Sequence, residues 1–214
     1  MMKAVIFDAF GTLVEIRNRQ HPYRQLLRLG SQQGRVAARE DMRWIMTNDC
    51  EVAEVADHFG IRLTPAQLSS VQDALDRELE SLNLFQDAEP AIEQLRSHGV
   101  KVGICSNLAA PYCKSVRLLI PGLDAYCFSS EVGLMKPDAG IYLSICHMLG
   151  FASDQFLGAS PERVVMIGDS RKCDQNGPRQ IGIKGFHLDR AGAGSFGNLL
   201  RFAHVMTDTA GLDQ

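Results

Sequence analysis

The stretch VIFDAFGTLV, from Val5 to Val14, runs three apolar residues into Asp8 and follows them with a Gly-Thr turn. A continuous apolar run of this length predicts a strand that is buried on both faces of a parallel sheet. In open parallel sheets, ligands bind beyond the carboxyl ends of the strands. The stretch therefore predicts a first core strand that ends in a reactive carboxylate.

Similar apolar runs recur along the chain and alternate with helical patterns. Strands are predicted at 3–8, 101–107, 125–130, 163–169 and 183–189, with 202–208 as a candidate edge strand. Helices are predicted at 87–99, which ends at a glycine, and at 136–150, which carries an apolar stripe. This alternation predicts an α/β fold, a doubly wound parallel sheet of the Rossmann-like type with helices on both faces.

Residues 15–83 interrupt the alternation, because they contain no strand-like run. Helical segments are predicted there at roughly 20–30, 36–58 and 65–81, the last beginning at Thr64-Pro65. We therefore expect two domains, an α/β core formed by 1–14 and 84–214 and an all-helical cap formed by 15–83.

The composition is that of a globular protein with a sizeable core. The chain has 214 residues, of which 45% are hydrophobic and 22% charged, and its net charge is −3. This charge argues against a nucleic-acid partner, and no apolar run approaches the roughly 20 residues of a membrane span. The six scattered cysteines, without a C-x-x-C pair, and the lack of a signal-peptide pattern predict a cytoplasmic protein with reduced thiols and no zinc site.

Polar residues follow three of the strands and open one helix. They are Asp8, Thr12, Ser106, Asn107, Lys136, Asp169, Ser170 and Asp174. The three aspartates and the single lysine leave two negative charges unbalanced in a buried cleft, where carboxylates raise one another's pKa. A hard dication with oxygen ligands relieves this repulsion, so we predict a Mg²⁺ site.

The order of these residues resembles the four motifs of the haloacid dehalogenase-like (HAD) hydrolase superfamily. The matching stretches, in chain order, are DAFGTLV, ICSN, GLMKPDAGIY and VVMIGDSRKCDQNGPRQIG. The resemblance covers essentially the whole chain, and the helical insertion stands where this family carries its first type of cap domain. It implies a hydrolase that acts on a small molecule, either phosphorylated or carboxylated.

The resemblance also implies roles for individual residues. Asp8 would be the nucleophile that forms a covalent acyl phosphate. Thr12 and Ser106 would donate hydrogen bonds to the phosphoryl oxygens, and backbone N–H groups near Ala9 and Asn107 would add more.

The charged groups complete the implied site. Lys136 would neutralise the charge of the nucleophile and of the transferring group. Mg²⁺ would be held directly by Asp8, by Asp169 and by the backbone carbonyl of Phe10. Asp174 would bind it through water or orient the other ligands.

Phe10 departs from the phosphatase pattern. In the phosphatase branches that the chain resembles, an aspartate in this position protonates the leaving group and later activates water, and phenylalanine does neither. General acid–base catalysis is worth roughly 10²–10⁴-fold. The site is therefore specialised for a leaving group that needs no proton, or slow, or served by an acid from elsewhere, for which Glu15 is one candidate.

Two other interpretations stay open. The 2-haloacid dehalogenases of the superfamily carry an aromatic residue at the position of Phe10, need no metal, and hold the substrate carboxylate with a cap arginine. Candidate cap residues are Arg17, Arg19, Arg24, Arg28 and Trp44, of which we take Arg17 and Arg24, with Phe10, as substrate-binding residues. The intact GDSRKCD of the fourth motif favours a phosphatase instead. A non-catalytic binding or regulatory protein of the same fold would show the same combination.

One further branch is excluded by inspection. The phosphonoacetaldehyde hydrolases also lack the second aspartate, but they use a cap lysine to form a Schiff base. Residues 15–83 contain no lysine.

Overall fold

The computed structural model describes residues 3–151, 164–192 and 194–208. Its main sheet has five parallel strands in the order β5-β4-β1-β6-β7. They are β1 (Ala4–Phe7), β4 (Lys101–Ser106), β5 (Ala125–Phe128), β6 (Val164–Gly168) and β7 (Lys184–His187). The predicted doubly wound α/β fold is confirmed.

Helices cover both faces of this sheet. The core helices are α5 (Ala88–Ser97), α6 (Ala110–Leu119), α7 (Ser129–Val132), α8 (Ala139–Met148), α9 (Gly177–Arg179) and α10 (Leu199–Thr207), with a π-helical turn at Arg171–Asn176. Along β1, Val5 and Phe7 pack into one apolar layer, whereas Ala4 and Ile6 pack into the other. The continuous apolar pattern thus reflects burial on both faces.

The predicted edge strand at 202–208 was wrong, because this segment belongs to α10. Its side chains Leu199, Phe202 and Met206 are buried at helical spacing, and the helix packs on α5. The side chain of Asn198 accepts a hydrogen bond from the N–H of Arg201 and caps the first turn. A short apolar run fits a buried helix as well as a strand, and the cap residue distinguishes the two.

Four helices lie in the 15–83 segment, and they differ in detail from the expected pattern. They are α1 (Pro22–Gln32), α2 (Glu40–Thr47), α3 (Val52–His58) and α4 (Pro65–Glu80). The single helical segment expected at 36–58 is divided between α2 and α3, and Glu51 begins α3 with a capping box to Glu54. The capping prediction at Thr64-Pro65 is confirmed, because Thr64 accepts from the N–H of Gln67.

The expectation that 15–83 holds no strand was also wrong. An antiparallel ribbon of β2 (Val14–Ile16) and β3 (Leu82–Leu84) joins the helical segment to the sheet. Farther out, Arg43 of α2 forms an ion pair with Asp138, which begins α8. In the described part of the chain, no helix combines the length and apolar character needed to cross a membrane.

Candidate active site

The site lies where β1, β4 and β6 end. Phe7 is level with Ile104 of β4 and with Ile167 of β6, and the N–H of Asp8 donates to the carbonyl of Ile167 at 3.0 Å. This register places the residues that follow the three strands at a common edge, as the sequence predicted. The backbone of Asp8 is thereby held by the sheet.

Lys136 links two of the carboxylates. Its Nζ donates to Asp8 Oδ1 at 2.7 Å and to Asp174 Oδ1 at 2.6 Å, and its side chain is buried. Burial opposes the charge of Lys136, but Asp174 and Asp8 outweigh it and raise the pKa of the ammonium group well above its usual value. Lys136 is therefore a fixed positive charge between two negative ones.

The side chain of Asn107 positions Lys136. Asn107 Oδ1 accepts from the backbone N–H of Lys136 at 2.8 Å, and Nδ2 donates to its carbonyl at 3.0 Å. This paired contact ties the end of β4 to the segment before α8. Asn107 thus has a side-chain function that the motif pattern did not indicate, in addition to the backbone contact predicted for it.

Asp8, Asp169 and Asp174 form a compact group, with one oxygen of each within 4.8 Å of the others. Burial raises the pKa of Asp174 to about 6 even though Lys136 lowers it, and the charge of Asp8 adds to the rise. Burial and the charge of Asp8 also raise the pKa of Asp169. The fold holds carboxylates where their ionised forms are unfavourable.

Two glycines make room for these carboxylates. A Cβ on Gly168 would lie 2.3 Å from Asp174 Oδ2, and one on Gly11 would lie 2.1 Å from Asp169 Oδ2. Gly11 also has a φ of +80°, which other residues rarely adopt. The Gly-Thr turn of the opening stretch is therefore required both for its backbone shape and for the close approach of Asp169.

The donor set fits a magnesium ion. Three carboxylates against one lysine leave an uncompensated negative charge, and Mg²⁺ prefers carboxylate oxygens. Asp8, Asp169 and Asp174 are the side chains that would hold it. The Phe10 carbonyl, two residues beyond Asp8, stays a predicted ligand.

The side chains predicted to bind the phosphoryl group, Thr12 and Ser106, are both buried. Thr12 is fully buried, and its Oγ1 has no hydrogen-bond partner among the described residues. The hydroxyl of Ser106 is also at the site edge, in a residue that is 2% exposed. The carbonyl of Ala9 accepts N–H groups of the following turn, including that of Leu13 at 2.8 Å. An unpaired buried hydroxyl is costly, so Thr12 has a donor available for an anionic ligand.

A cavity of about 230 Å³ adjoins this charged group and lies between the sheet and the helical segment. It shares Phe10 and Asn107 with the site, and its wall is mainly apolar. Apolar and aromatic lining residues include Phe10, Ile16, Tyr23, Met42, Met46 and Tyr112. The ring of Phe10 packs edge-on against Tyr112, with 5.6 Å between the centroids and 86° between the planes.

Glu78 is a buried carboxylate in the cavity wall. Its Oε2 accepts the backbone N–H groups of Gln20 at 2.9 Å and of His21 at 2.8 Å, where His21 has a left-handed φ of 56°. Burial and the nearby Glu78 raise the pKa of Tyr112. Sequence analysis missed Glu78 and Tyr112. A sequence pattern did indicate Glu78, because this acidic residue stands at helical spacing from the buried apolar residues Val71 and Leu75.

The predicted cap residues fall in different places. Arg24 lines the cavity, as does Arg19, whereas Arg17 is exposed and donates to Glu15 at 2.8 Å. This hydrogen bond from Arg17 lowers the pKa of Glu15 and favours its ionised form. Trp44 stacks on His58 with 3.6 Å between centroids. The substrate-binding function of Arg17 and Arg24 stays a prediction, and the geometry favours Arg24.

The family of haloacid dehalogenase-like hydrolases matches residues 2–182. The chain belongs to this family. It is 24% identical to (S)-2-haloacid dehalogenase 4A of Burkholderia cepacia, over 89% of this chain and 84% of that one. This confirms the resemblance that the four motifs indicated.

Solved structures show the same fold for both branches of the family. A HAD phosphatase from Thermococcus onnurineus superposes with a TM-score of 0.65 at 22% identity, and covers 96% of this chain and 98% of its own. A 2-haloacid dehalogenase from Pseudomonas syringae pv. Tomato DC3000 gives the same TM-score and coverage at 16% identity. Similarity therefore establishes a HAD hydrolase, and the choice of reaction depends on the site residues.

Proposed function

We propose that this protein is a Mg²⁺-dependent phosphohydrolase of a small phosphorylated metabolite, with Asp8 as the nucleophile. The observation that carries the proposal is the third carboxylate, Asp169, beside the Asp8–Lys136–Asp174 ion pairs. Lys136 compensates one of three negative charges. A dication would compensate the other two and allow an anionic phosphoryl group to approach.

The proposed reaction has two steps on Asp8. Its carboxylate oxygen attacks phosphorus, the bond from phosphorus to the leaving oxygen breaks, and an aspartyl phosphate forms. Water then attacks this phosphorus, which releases phosphate and restores the carboxylate. When bound, Mg²⁺ supplies positive charge that neutralises the reacting oxygens.

The remaining residues act as fixed donors. Lys136 stays protonated beside Asp8 and offsets the charge that develops in the transition state. Thr12 Oγ1, which has no partner among the described residues, and the hydroxyl of Ser106 would donate to phosphoryl oxygens. Asn107 holds the backbone of Lys136, so that its ammonium group does not reorganise during the reaction.

A second candidate function is displacement of halide from a 2-haloacid. Phe10 favours it, because the dehalogenases that the chain resembles carry an aromatic residue there. In that reaction, Asp8 would attack carbon, halide would leave, and water would hydrolyse the resulting ester. This route requires no cation and offers no function for Asp169.

The deciding experiment compares two activities in one preparation. We would measure phosphate release from 4-nitrophenyl phosphate and acetyl phosphate, and halide release from L-2-chloropropionate, each with Mg²⁺ or with EDTA. Asp8→Asn is the test variant, and Asp73→Asn, at an exposed position of α4, is the matched control.

We expect Mg²⁺-dependent phosphate release that falls at least about a thousandfold in Asp8→Asn and is unchanged in Asp73→Asn. Halide release that persists in EDTA would overturn the proposal in favour of the dehalogenase. The absence of both activities would overturn it in favour of a non-catalytic protein.

A further inference from the structure

Phe10 stands at the boundary between the charged group and the cavity. It follows Asp8 by two residues, its ring lines the cavity, and a backbone bridge to Val14 fixes its main chain. Contact with Tyr112 holds the ring from the side of α6. A leaving group that departs from a phosphoryl group on Asp8 into the cavity would therefore meet an aromatic ring first.

Among the described residues that line the cavity, Glu78 is the one with a carboxyl group. Its Oε2 is already an acceptor for two backbone N–H groups, those of Gln20 and His21. Glu78 therefore holds the backbone of this segment through Oε2.

The other lining groups are also poorly suited to protonate a leaving oxygen. Burial raises the pKa of Tyr23, which makes its hydroxyl a weaker acid, and the ring of Tyr112 is held edge-on against Phe10. The side chain of His21 is exposed at the rim, and Arg19 and Arg24 are permanent cations. The described lining residues therefore offer a leaving group mainly apolar surface, with His21 as the lining residue that remains to be tested as a proton donor.

From this arrangement we infer the substrate class: phosphate esters or anhydrides whose leaving group departs as a weakly basic oxyanion with an apolar body. Aryl phosphates and acyl phosphates share this chemistry. The inference rests on the proposed phosphohydrolase function. The selected substrates are those whose leaving oxygen departs without being protonated.

The electron balance explains the selectivity. When the bond between Asp8 and phosphorus forms, the electron pair of the breaking P–O bond stays on the leaving oxygen, which departs unprotonated. A phenolate or carboxylate accommodates this charge, whereas an alkoxide does not. In the second step, the leaving group is the Asp8 carboxylate itself, and the proton of the attacking water passes to phosphate or solvent.

The shape and chemistry of the cavity suit such a leaving group. A cavity of about 150 Å³ with an apolar wall is large enough to hold benzene, and this one measures about 230 Å³. The edge-to-face contact of Phe10 and Tyr112 presents aromatic surface to an incoming ring. Met42 and Met46 add unbranched side chains that adapt to its outline.

The test is a series of substrates that differ in the basicity of the leaving group. We would measure kcat/KM with Mg²⁺ for 4-nitrophenyl, 4-chlorophenyl and phenyl phosphate, for benzoyl phosphate, and for benzyl phosphate. Benzyl phosphate matches the others in size but leaves as an alkoxide. The parameter kcat/KM reports phosphoryl transfer to Asp8, whereas kcat can be levelled by the shared second step.

We expect kcat/KM to fall steeply along the aryl series, and benzyl phosphate to react at least about a hundredfold more slowly than phenyl phosphate, because no acid assists it. If benzoyl phosphate reacts faster than 4-nitrophenyl phosphate, the preferred substrates are acyl phosphates. The reverse order would identify aryl phosphates. Benzyl phosphate within about tenfold of 4-nitrophenyl phosphate would overturn the inference. Failure of the proposed function is distinct, because no substrate would then release phosphate in an Asp8-dependent way.

Three variants separate Phe10 from the other lining groups. Phe10→Asp introduces an acid, so kcat/KM should depend less on the basicity of the leaving group. The kcat/KM for benzyl phosphate should rise on the order of a hundredfold. Phe10→Leu stays apolar and should keep the steep series, even if Phe10→Asp does not fold. His21→Gln should also keep it. A series that becomes steeper in His21→Gln would show that His21 donates the proton and would overturn the inference.

Discussion

The charged group and the cavity lie side by side, yet they are built from different parts of the chain. Asp8 and Asp169 directly follow β1 and β6, and Asp174 lies in the π-helical turn that comes after β6. The cavity wall combines Phe10 with side chains of α1, α2 and α4. The charged group is thus held mainly by ion pairs, whereas the cavity wall is formed mainly by apolar side chains.

The largest effect should come from Lys136→Met, which removes the one cation of the charged group. We expect the free energy of unfolding in EDTA at pH 8 to fall by about 3–5 kcal/mol, because Asp8 and Asp174 lose their buried partner. Phosphate release should be lost as well. Urea denaturation and the phosphate assay measure the two effects.

The double variant Lys136→Met/Asp174→Asn separates stability from catalysis. It removes one of the two buried carboxylates that have lost their lysine partner, so it should recover much of the lost stability and none of the activity. If the double variant were as unstable as the single one, the buried pair would not be the source of the loss. On the cavity side, Met46→Ala serves as a comparison that deletes volume without stranding a charge.

The charged group was predictable from the sequence and the cavity was not, for a physical reason. An apolar run followed by aspartate specifies both a strand and what lies at its end, so Asp8 and Asp169 could be brought together through sheet geometry alone. Asp174 was predicted from its place in the fourth motif. Glu78 and Tyr112 line the same cavity from α4 and α6, which are far apart in the chain. Their proximity depends on tertiary packing, which a local sequence pattern does not encode.

The two wrong predictions about the fold also concern features that depend on tertiary contacts. The segment 202–208 is apolar enough for a strand, and its helical state depends on the cap at Asn198 and on packing against α5. The ribbon of Val14–Ile16 and Leu82–Leu84 pairs short segments far apart in the chain. Pairing of such short strands is decided by tertiary contacts and not by propensity.

A smaller effect tests how unfavourable the ionised form of Asp174 is within the charged group. The pKa of Asp174 is raised to about 6 from an ordinary value of 3.8, so the folded state binds this proton more tightly than the unfolded one. The associated stability is present at low pH and is lost as pH rises through about 6. In EDTA, Tm should fall between pH 5 and pH 7 by about 2–4 °C, the change for about 1 kcal/mol.

Two comparisons isolate this effect. Asp174→Asn should lose the pH dependence that we assign to Asp174. Asp41 and Asp87, whose pKa values are lowered beside Arg35 and Arg190, lose their contribution only at more acidic pH. Adding Mg²⁺ should raise Tm more at pH 7.5 than at pH 5.5, since protons compete for the same oxygens. An equal rise at both values would contradict a carboxylate site.

The smallest effect belongs to the cavity side. Tyr112→Phe keeps the ring against Phe10 and removes the hydroxyl near Glu78. We expect a loss of stability of about 1 kcal/mol and a change in KM of a few fold. The dependence of kcat/KM on the leaving group should be unaltered, because a phenol with a raised pKa does not supply the proton.

Tyr126→Phe is the matched control for Tyr112→Phe. Its hydroxyl donates to the carbonyl of Ile120 and accepts the N–H of Leu123, and Tyr126 does not line the cavity. It should cost similar stability without moving KM. If Tyr112→Phe instead steepened the dependence on the leaving group, the hydroxyl of Tyr112 would be acting as an acid. The cavity wall would then take part in proton transfer, and its function would not be limited to apolar packing.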